Sequence, residues 1–294
     1  MHQYLRAIGF RKYDRKMFKE VLNRIINNPD EKFLLGQGGD EDTFVQLESR
    51  CAENMGISVC GLYNEQGEFE LEYYIPIFEG YEITTYEKPV IERHAAQESY
   101  SGLCDDFRIG IAIIFFVSNA AEYKSIAAMK QFNKPEIRGV RLTGLADRGT
   151  ILMPVAKTER QRMEDKEASR QRIQLISAAK KGDEQAMESL TMEDLDAFSM
   201  IGRRIGNEDV LTIVESYFMP RGIECDLYSI MGEILDYRKI ENKWTKEMVY
   251  IIQVNCNEIC FDICINEEDL YGVPEKGRRI KADIWLQGQV AYEV

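Results

Sequence analysis

Three cysteines recur every fourth residue in "NCNEICFDICIN", residues 255–266, a spacing that invites a soft metal ion or an iron–sulfur cluster. The segment reads as a strand, in which residues four apart share a face. Cys260, Asp262 and Cys264 then lie on one side, with Ile259, Phe261, Ile263 and Ile265 on the other. Along a straight strand Cys260 and Cys264 stand roughly 13 Å apart, at about 3.3 Å per residue. One ion holding thiolates at about 2.3 Å cannot reach both. Cys256 and Cys260 can approach each other across Asn257-Glu258, but no fourth ligand accompanies them. The cysteines are therefore read as small hydrophobes.

Hard-metal and acid–base chemistry has one candidate segment. His2 and His94 are the only histidines, which removes most Ser-His-Asp, Cys-His and His-rich metal schemes. Around His94, "IERHAAQESYSGLCDDFRIG" gathers Glu92, His94, Glu98, Asp105 and Asp106, a set that could hold a divalent cation for a metal-assisted hydrolase, with Arg108 for an anion. Their spacing matches no metal motif, so a solvated loop before a buried strand is the preferred reading. "LLGQGGDEDTF" precedes an expected helix as a phosphate loop would. It lacks the Lys-Ser/Thr of a P-loop, and Asp40, Glu41 and Asp42 would repel phosphate.

A binding surface is suggested by the last strand. Arg279, Lys281, Asp283, Trp285 and Gln287 fall on one face, and Ile280, Ala282, Ile284 and Leu286 on the other. A Trp amid basic and amide side chains can grip single-stranded nucleic acid or a peptide, which makes Arg279, Lys281, Trp285 and Gln287 the candidate binding residues. The competing and preferred account docks Trp285 under the helical segment or another subunit, with Arg and Lys stems packed around it.

These side chains need elements to position them. Residues 14–28 read as a helix with Met17, Val21, Leu22, Ile25 and Ile26 on one stripe. A second helix is expected after Asp42, with Thr43 and Gln46 as a capping box, Phe44, Leu47, Cys51 and Met55 at helical spacing, and Gly56 as its end. "ISVCGLY" and "EFELEYYIPIF" then read as antiparallel strands, and "IGIAIIFFV" at 109–117 as a buried strand followed by a helix near Ser118-Asn119. "IRGVRLTGL" and "TILMPV" are expected to form a hairpin turning at Ala146–Gly149. From Lys157 to about Tyr217 the pattern is helical, in two or three short helices broken at Lys181-Gly182-Asp183, with a capping box at Thr191 and Asp194. Four strands follow Pro220. The fold class is α+β: a mixed domain with an antiparallel sheet over 1–156, a helical connector over 157–220, and a small OB-like β-barrel or sandwich over 221–294.

Composition narrows the function classes. At 294 residues and 45% hydrophobic the chain can bury a substantial core. A net charge of −13 argues against coating nucleic acid through phosphates, so nucleic-acid binding is the weaker alternative. The longest apolar run has nine residues, short of the roughly 20 a membrane helix needs. Seven cysteines, an odd number, fit reduced thiols and a cytoplasmic location.

The opening "MHQYLRAIGF", the central "ESYSGLCDDFRIGIAIIFF", the "LTGLADRGTILMPV" stretch and the closing "DLYGVPEKGRRIKADIWLQGQV" together resemble a bacterial family known only as a domain of unknown function, typical of anaerobic Gram-positive species. The likeness covers nearly the whole chain and implies a cytoplasmic bacterial protein, with no activity, cofactor or catalytic residue to carry over. The expectation is a non-enzymatic binding or adaptor protein without a cofactor, directed at a protein partner or a small ligand.

Overall fold

The computed structural model describes all residues except 36–42, 65, 96–97, 107, 109–110, 130–133, 156–158, 206–209 and 294. A 3-10 turn, Gln3–Ile8, buries Tyr4, Leu5, Ala7 and Ile8 and ends at Gly9, whose φ of +89° suits glycine. Helix α1 (Arg15–Asn27) starts where the Asp14 carboxylate accepts hydrogen bonds from the Lys16 and Met17 amides. It buries Phe18, Leu22 and Ile25, and it matches the helix expected over 14–28.

Strands β1 (Glu31–Leu35), β2 (Thr43–Ala52), β3 (Met55–Tyr63) and β4 (Phe69–Phe78) form an antiparallel meander in that order. β2 corrects the second expected helix. Phe44, Leu47, Cys51 and Met55 fit a helical stripe, but Val45, Leu47, Ser49 and Cys51 alternate equally well. Pairing on both sides, Glu31 opposite Glu48 in β1 and Ser58 opposite Glu48 in β3, settles the strand. Gly56 lies inside β3 and ends nothing. Sequence periodicity alone could not separate these options, because β2 is buried on both faces from Phe44 to Ser49.

The second sheet has ten strands among the described residues: β5 (Val90–Arg93), β6 (Tyr100–Asp106), β7 (Ile111–Val117), β8 (Ile137–Leu152), β9 (Tyr217–Pro220), β10 (Leu227–Glu241), β11 (Met248–Cys256), β12 (Ile259–Asn266), β13 (Leu270–Tyr271) and β14 (Arg279–Tyr292). Helix α2 (Ala120–Ala127) follows β7 as expected. β8 corrects the expected hairpin: it runs unbroken for 16 residues, paired along its length with β14. The turn-like Ala146-Asp147-Arg148-Gly149 instead provides room. A Cβ on Gly149 would meet the Ile265 methyl at 2.8 Å.

β8 pairs with β12 in parallel, β12 with β11, β11 with β10 and β10 with β14, and β14 pairs back onto β8. Hydrogen bonding thus runs round a ring of five strands. β7 extends the same edge of the ring by pairing with β14 at Gln287 and Gly288. Strands from either side of the expected boundaries at 156 and 220 are therefore hydrogen-bonded into one sheet.

Two cores follow from strand alternation. One draws on all five ring strands, including Ala146, Ile230, Ile252, Ile263 and Ile284. The opposite faces of those strands contribute Leu145, Ile251, Cys264 and Trp285 to a second core. The N-terminal turn, α1 and the meander complete it through Leu5, Phe18, Leu47 and Ile77. Helices α3 (Glu159–Lys180), α4 (Glu184–Ile205) and α5 (Val210–Ile213) lie between β8 and β9 in sequence. The break at 181–183 is present, and Asp183 caps α4. Thr191 is not a cap: it sits inside α4 and its hydroxyl donates to the Met187 carbonyl.

The β11–β12 turn carries a small, separable test. Asn257 and Glu258 both have left-handed φ, 50° and 66°. Asn tolerates this region and Glu does not. Glu258→Gly is expected to raise stability by roughly 0.5–1 kcal/mol after glycine's entropic cost, read as a higher urea midpoint. A lower midpoint would show that the turn carries no strain.

Candidate functional site

The four candidate binding residues of β14 do not share an open surface. The Arg279 guanidinium is buried and donates to the carbonyls of Met153, Leu211 and Val214 at 3.0, 2.8 and 2.9 Å. It ties β14 to the end of β8 and to the α5 segment. Gln287 is fully buried, donates to the Pro76 carbonyl and accepts from the Phe78 amide, joining the two sheets. Trp285 packs against His2, Tyr4 and Phe116, and its indole N–H donates to Asp226 at 2.7 Å. Lys281 alone of the four is exposed. The cover over Trp285 includes His2 and Tyr4 from the start of the chain.

 Where the helical segment or another subunit is the expected cover, the chain's own first turn provides it.

The oxygen-ligand set is likewise dispersed. Glu98 accepts from Lys124 at 2.7 Å and Tyr100 at 2.6 Å and pairs with Arg93 at 2.8 Å. Burial works upward on its carboxyl, but Lys124 and Tyr100 outweigh it and hold the group below the usual carboxylate range. Asp106 is buried and clasped by the Arg108 guanidinium at 2.9 and 2.6 Å, with the same downward result. His94 is held between the hydroxyls of Ser99 and Ser101. Glu92 and Asp105 are exposed, and Asp105 and Asp106 point to opposite faces of β6. Among the described residues, no three His, Cys, Asp or Glu side chains converge as metal ligands would. The Gly-rich acidic stretch, rejected from sequence as a phosphate loop, lies at residues 36–42 outside the described residues.

The cysteine run divides between environments. Cys256 and Cys264 are buried in different cores, and Cys260 is exposed. Cys264 directs its sulfur at the Ala7 carbonyl and the Met55 sulfur, and Cys256 at the carbonyls of Tyr217 and Met231. Burial pushes the Cys256 thiol up to about 12 and the Cys264 thiol well above its ordinary value, so both stay protonated.

A different group of residues lines a cavity of about 320 Å³ between the meander and the start of α2. Its floor is built from β2. Gln46, Glu48 and Arg50 alternate onto one face, while Val45, Leu47 and Cys51 go to the core. Gln46 organises the floor. Its amide oxygen accepts from the Ala121 amide of α2, and its nitrogen donates to Glu48 at 2.7 Å and to the Ser118 carbonyl at 3.3 Å. Arg50 donates one nitrogen to Glu48 at 3.2 Å and to Glu79 at 2.6 Å. Its Nη1 is buried without a partner among the described residues. Phe33 and Ile77 supply apolar wall, and Glu31, Glu122 and Gln289 complete the rim.

Glu48 is the group with unusual chemistry here. It is only 6% exposed, and burial raises its carboxyl most strongly. Arg50 and Gln46 pull the other way, Glu79 and Glu31 add like charge, and the result is about 7. A carboxyl poised there changes charge across neutral pH. A smaller depression of about 180 Å³, on the outward side of β10 to β12, holds Asp262 with Arg238, Gln253 and Tyr81. Burial also lifts Asp262, to about 6.

Residues 5–288 match the model of DUF3881, a family described as a domain of unknown function and named from E. rectale, an anaerobic Gram-positive bacterium. The chain belongs to the DUF3881 family. The match begins in the N-terminal turn and ends in β14, so the DUF3881 region takes in both sheets and every cavity residue except Gln289. No curated protein and no solved structure matches the chain. Among the described residues no helix is long and apolar enough to cross a membrane.

Proposed function

We propose that this chain is a non-enzymatic, cytoplasmic binding protein whose ligand is a small organic cation held in the Glu48 cavity. The observation that carries the reading is the buried Glu48 carboxyl at the floor of a cavity whose lining has four carboxylates, Glu31, Glu48, Glu79 and Glu122, against one cation, Arg50. An ammonium group offered to Glu48 and Glu79 gains charge-assisted hydrogen bonds, and an alkyl stem fits against Phe33 and Ile77. A hydroxyl or carbonyl oxygen beside the ammonium would accept the hydrogen bond that Arg50 Nη1 has to donate. The seven free thiols, five of them buried, support a reducing compartment. The five-strand ring is read as an OB-like barrel that serves as scaffold for the meander, with ring closure as its support.

The metal-assisted hydrolase and single-stranded nucleic-acid alternatives draw less from the geometry. Lys124 and Arg108 already engage Glu98 and Asp106, and Trp285 is covered.

Calorimetry at pH 8 with ethanolamine, agmatine and putrescine tests the reading. At least one should bind with a submillimolar Kd, and Glu48→Gln should weaken that binding at least tenfold, about 1.4 kcal/mol. Absence of binding for all three at millimolar concentration would sink the proposal. So would equal affinity in the variant.

A further inference from the structure

The α3–α4 arm carries a separate inference, independent of the Glu48 cavity. Two helices of 22 residues, each about 33 Å long, lie against each other across the 181–183 break. Such a pair covers only one side of each helix, and here even that side is incomplete. Ile173, Leu175, Ile176 and Leu190 are half-buried, and Ala186 is the one described residue of the two helices that is fully buried. Met163, Met192 and Leu195 are 73, 59 and 58% exposed. The packing of the arm is chiefly α3 on α4 and α4 on α5, with little against the sheets.

Charge says what would cover it. Residues 157–181 carry eight Lys or Arg against four Asp or Glu, whereas residues 183–196 carry six Asp or Glu and no Lys or Arg. Within the helices themselves α3 carries six Lys or Arg against four Asp or Glu, and residues 184–196 of α4 carry five Asp or Glu against none. The arm thus contains both halves of a complementary pair, one contact of which, Arg172 with Glu193 at 3.4 Å, is already made within the chain. A two-fold axis brings a surface against itself, so that α3 of each copy can meet α4 of the other. Placing α3 on α3 or α4 on α4 would oppose like charges along the contact.

We propose that the α3–α4 arm is a dimerisation surface, in which two copies of this chain pack arm against arm with the basic α3 of one over the acidic α4 of the other. The contact covers the apolar residues that the hairpin leaves wet, and the charges select the pairing.

The full-length chain at tens of micromolar should sediment with twice its 34.0 kDa mass, and raised salt should shift it toward monomer. Met192→Lys with Leu195→Lys, both exposed in the single chain, should weaken dimerisation at least tenfold while the far-UV circular dichroism is unchanged. A second measurement does not depend on that variant folding. Carbodiimide treatment of mixed light and heavy nitrogen-labelled protein should give hybrid-mass peptides that join lysines of residues 157–181 to acids of residues 183–196. A monomer at these concentrations overturns the proposal. So does a dimer that the double variant leaves intact, or one whose hybrid peptides map outside the arm.

Discussion

Trp285→Ala is expected to destabilise the protein by about 3–5 kcal/mol, the range for truncating a large buried aromatic. The indole is 5% exposed and lies in the core that joins the N-terminal turn, the meander and the outward face of the ring. Its loss removes the surface on which Tyr4, His2 and Phe116 meet and leaves the Asp226 carboxylate without the indole N–H. Trp285→Phe separates the two contributions. It keeps most of the ring contacts and loses the hydrogen bond, so a smaller cost of about 1–2 kcal/mol is expected. Urea unfolding followed by far-UV circular dichroism measures both. A Trp285→Ala variant within 1 kcal/mol of the natural protein would contradict a core role and return Trp285 to the list of surface binding residues.

The same residue shows what the sequence could and could not reveal. Alternation along "RRIKADIWLQGQV" correctly separates Ile280, Ala282 and Ile284 from Arg279 and Trp285. It says nothing about whether the second face meets water or another layer. That depends on the first ten residues of the chain, which reach β14 only through the folded topology. Local signals worked where period and punctuation agreed, as in α1, β3, β10 to β12 and the Asn257-Glu258 turn. They failed where they competed. In β8 a turn-like tetrapeptide is outweighed by pairing with β14 that continues on both sides of a register shift at Asp147.

A helical reading of residues 43–55 hides the cavity, because these residues form β2 and the start of β3. On a helix, positions 46 and 50 share a face while 48 points to the opposite one, so the three never meet. On a strand, Gln46, Glu48 and Arg50 line up on one face, a period-two polar pattern that was present in "FVQLESRC" throughout. Its partners were beyond local reach. Gln46 meets Ala121 from 75 positions away, and Arg50 meets Glu79 from 29.

Glu48→Gln is expected to flatten part of the protein's stability profile between about pH 4.5 and pH 7, and the sign decides between burial and ion pairing. The folded carboxyl sits near 7, above its ordinary value of 4.5. Across that window the folded state therefore holds more protons than the unfolded chain, and stability falls as pH rises. Above pH 7 the folded protein carries a buried carboxylate whose cost, from a rise of this size, is about 3 kcal/mol. The amide has nearly the same shape, can still accept a hydrogen bond from Gln46 or Arg50, and cannot ionise. The variant should accordingly be more stable than the natural protein at pH 8, by up to about 3 kcal/mol, with the advantage shrinking to nothing near pH 4.5. Had the Arg50 contact at 3.2 Å dominated over burial, the order would be reversed, because removing the carboxylate would then break a favourable pair. Taking the difference between the two proteins' urea profiles cancels Asp262 and every other titrating group common to both. Parallel profiles, or a less stable variant at pH 8, would show that Glu48 is ionised at ordinary carboxylate pH and that its cavity has no neutral-pH switch.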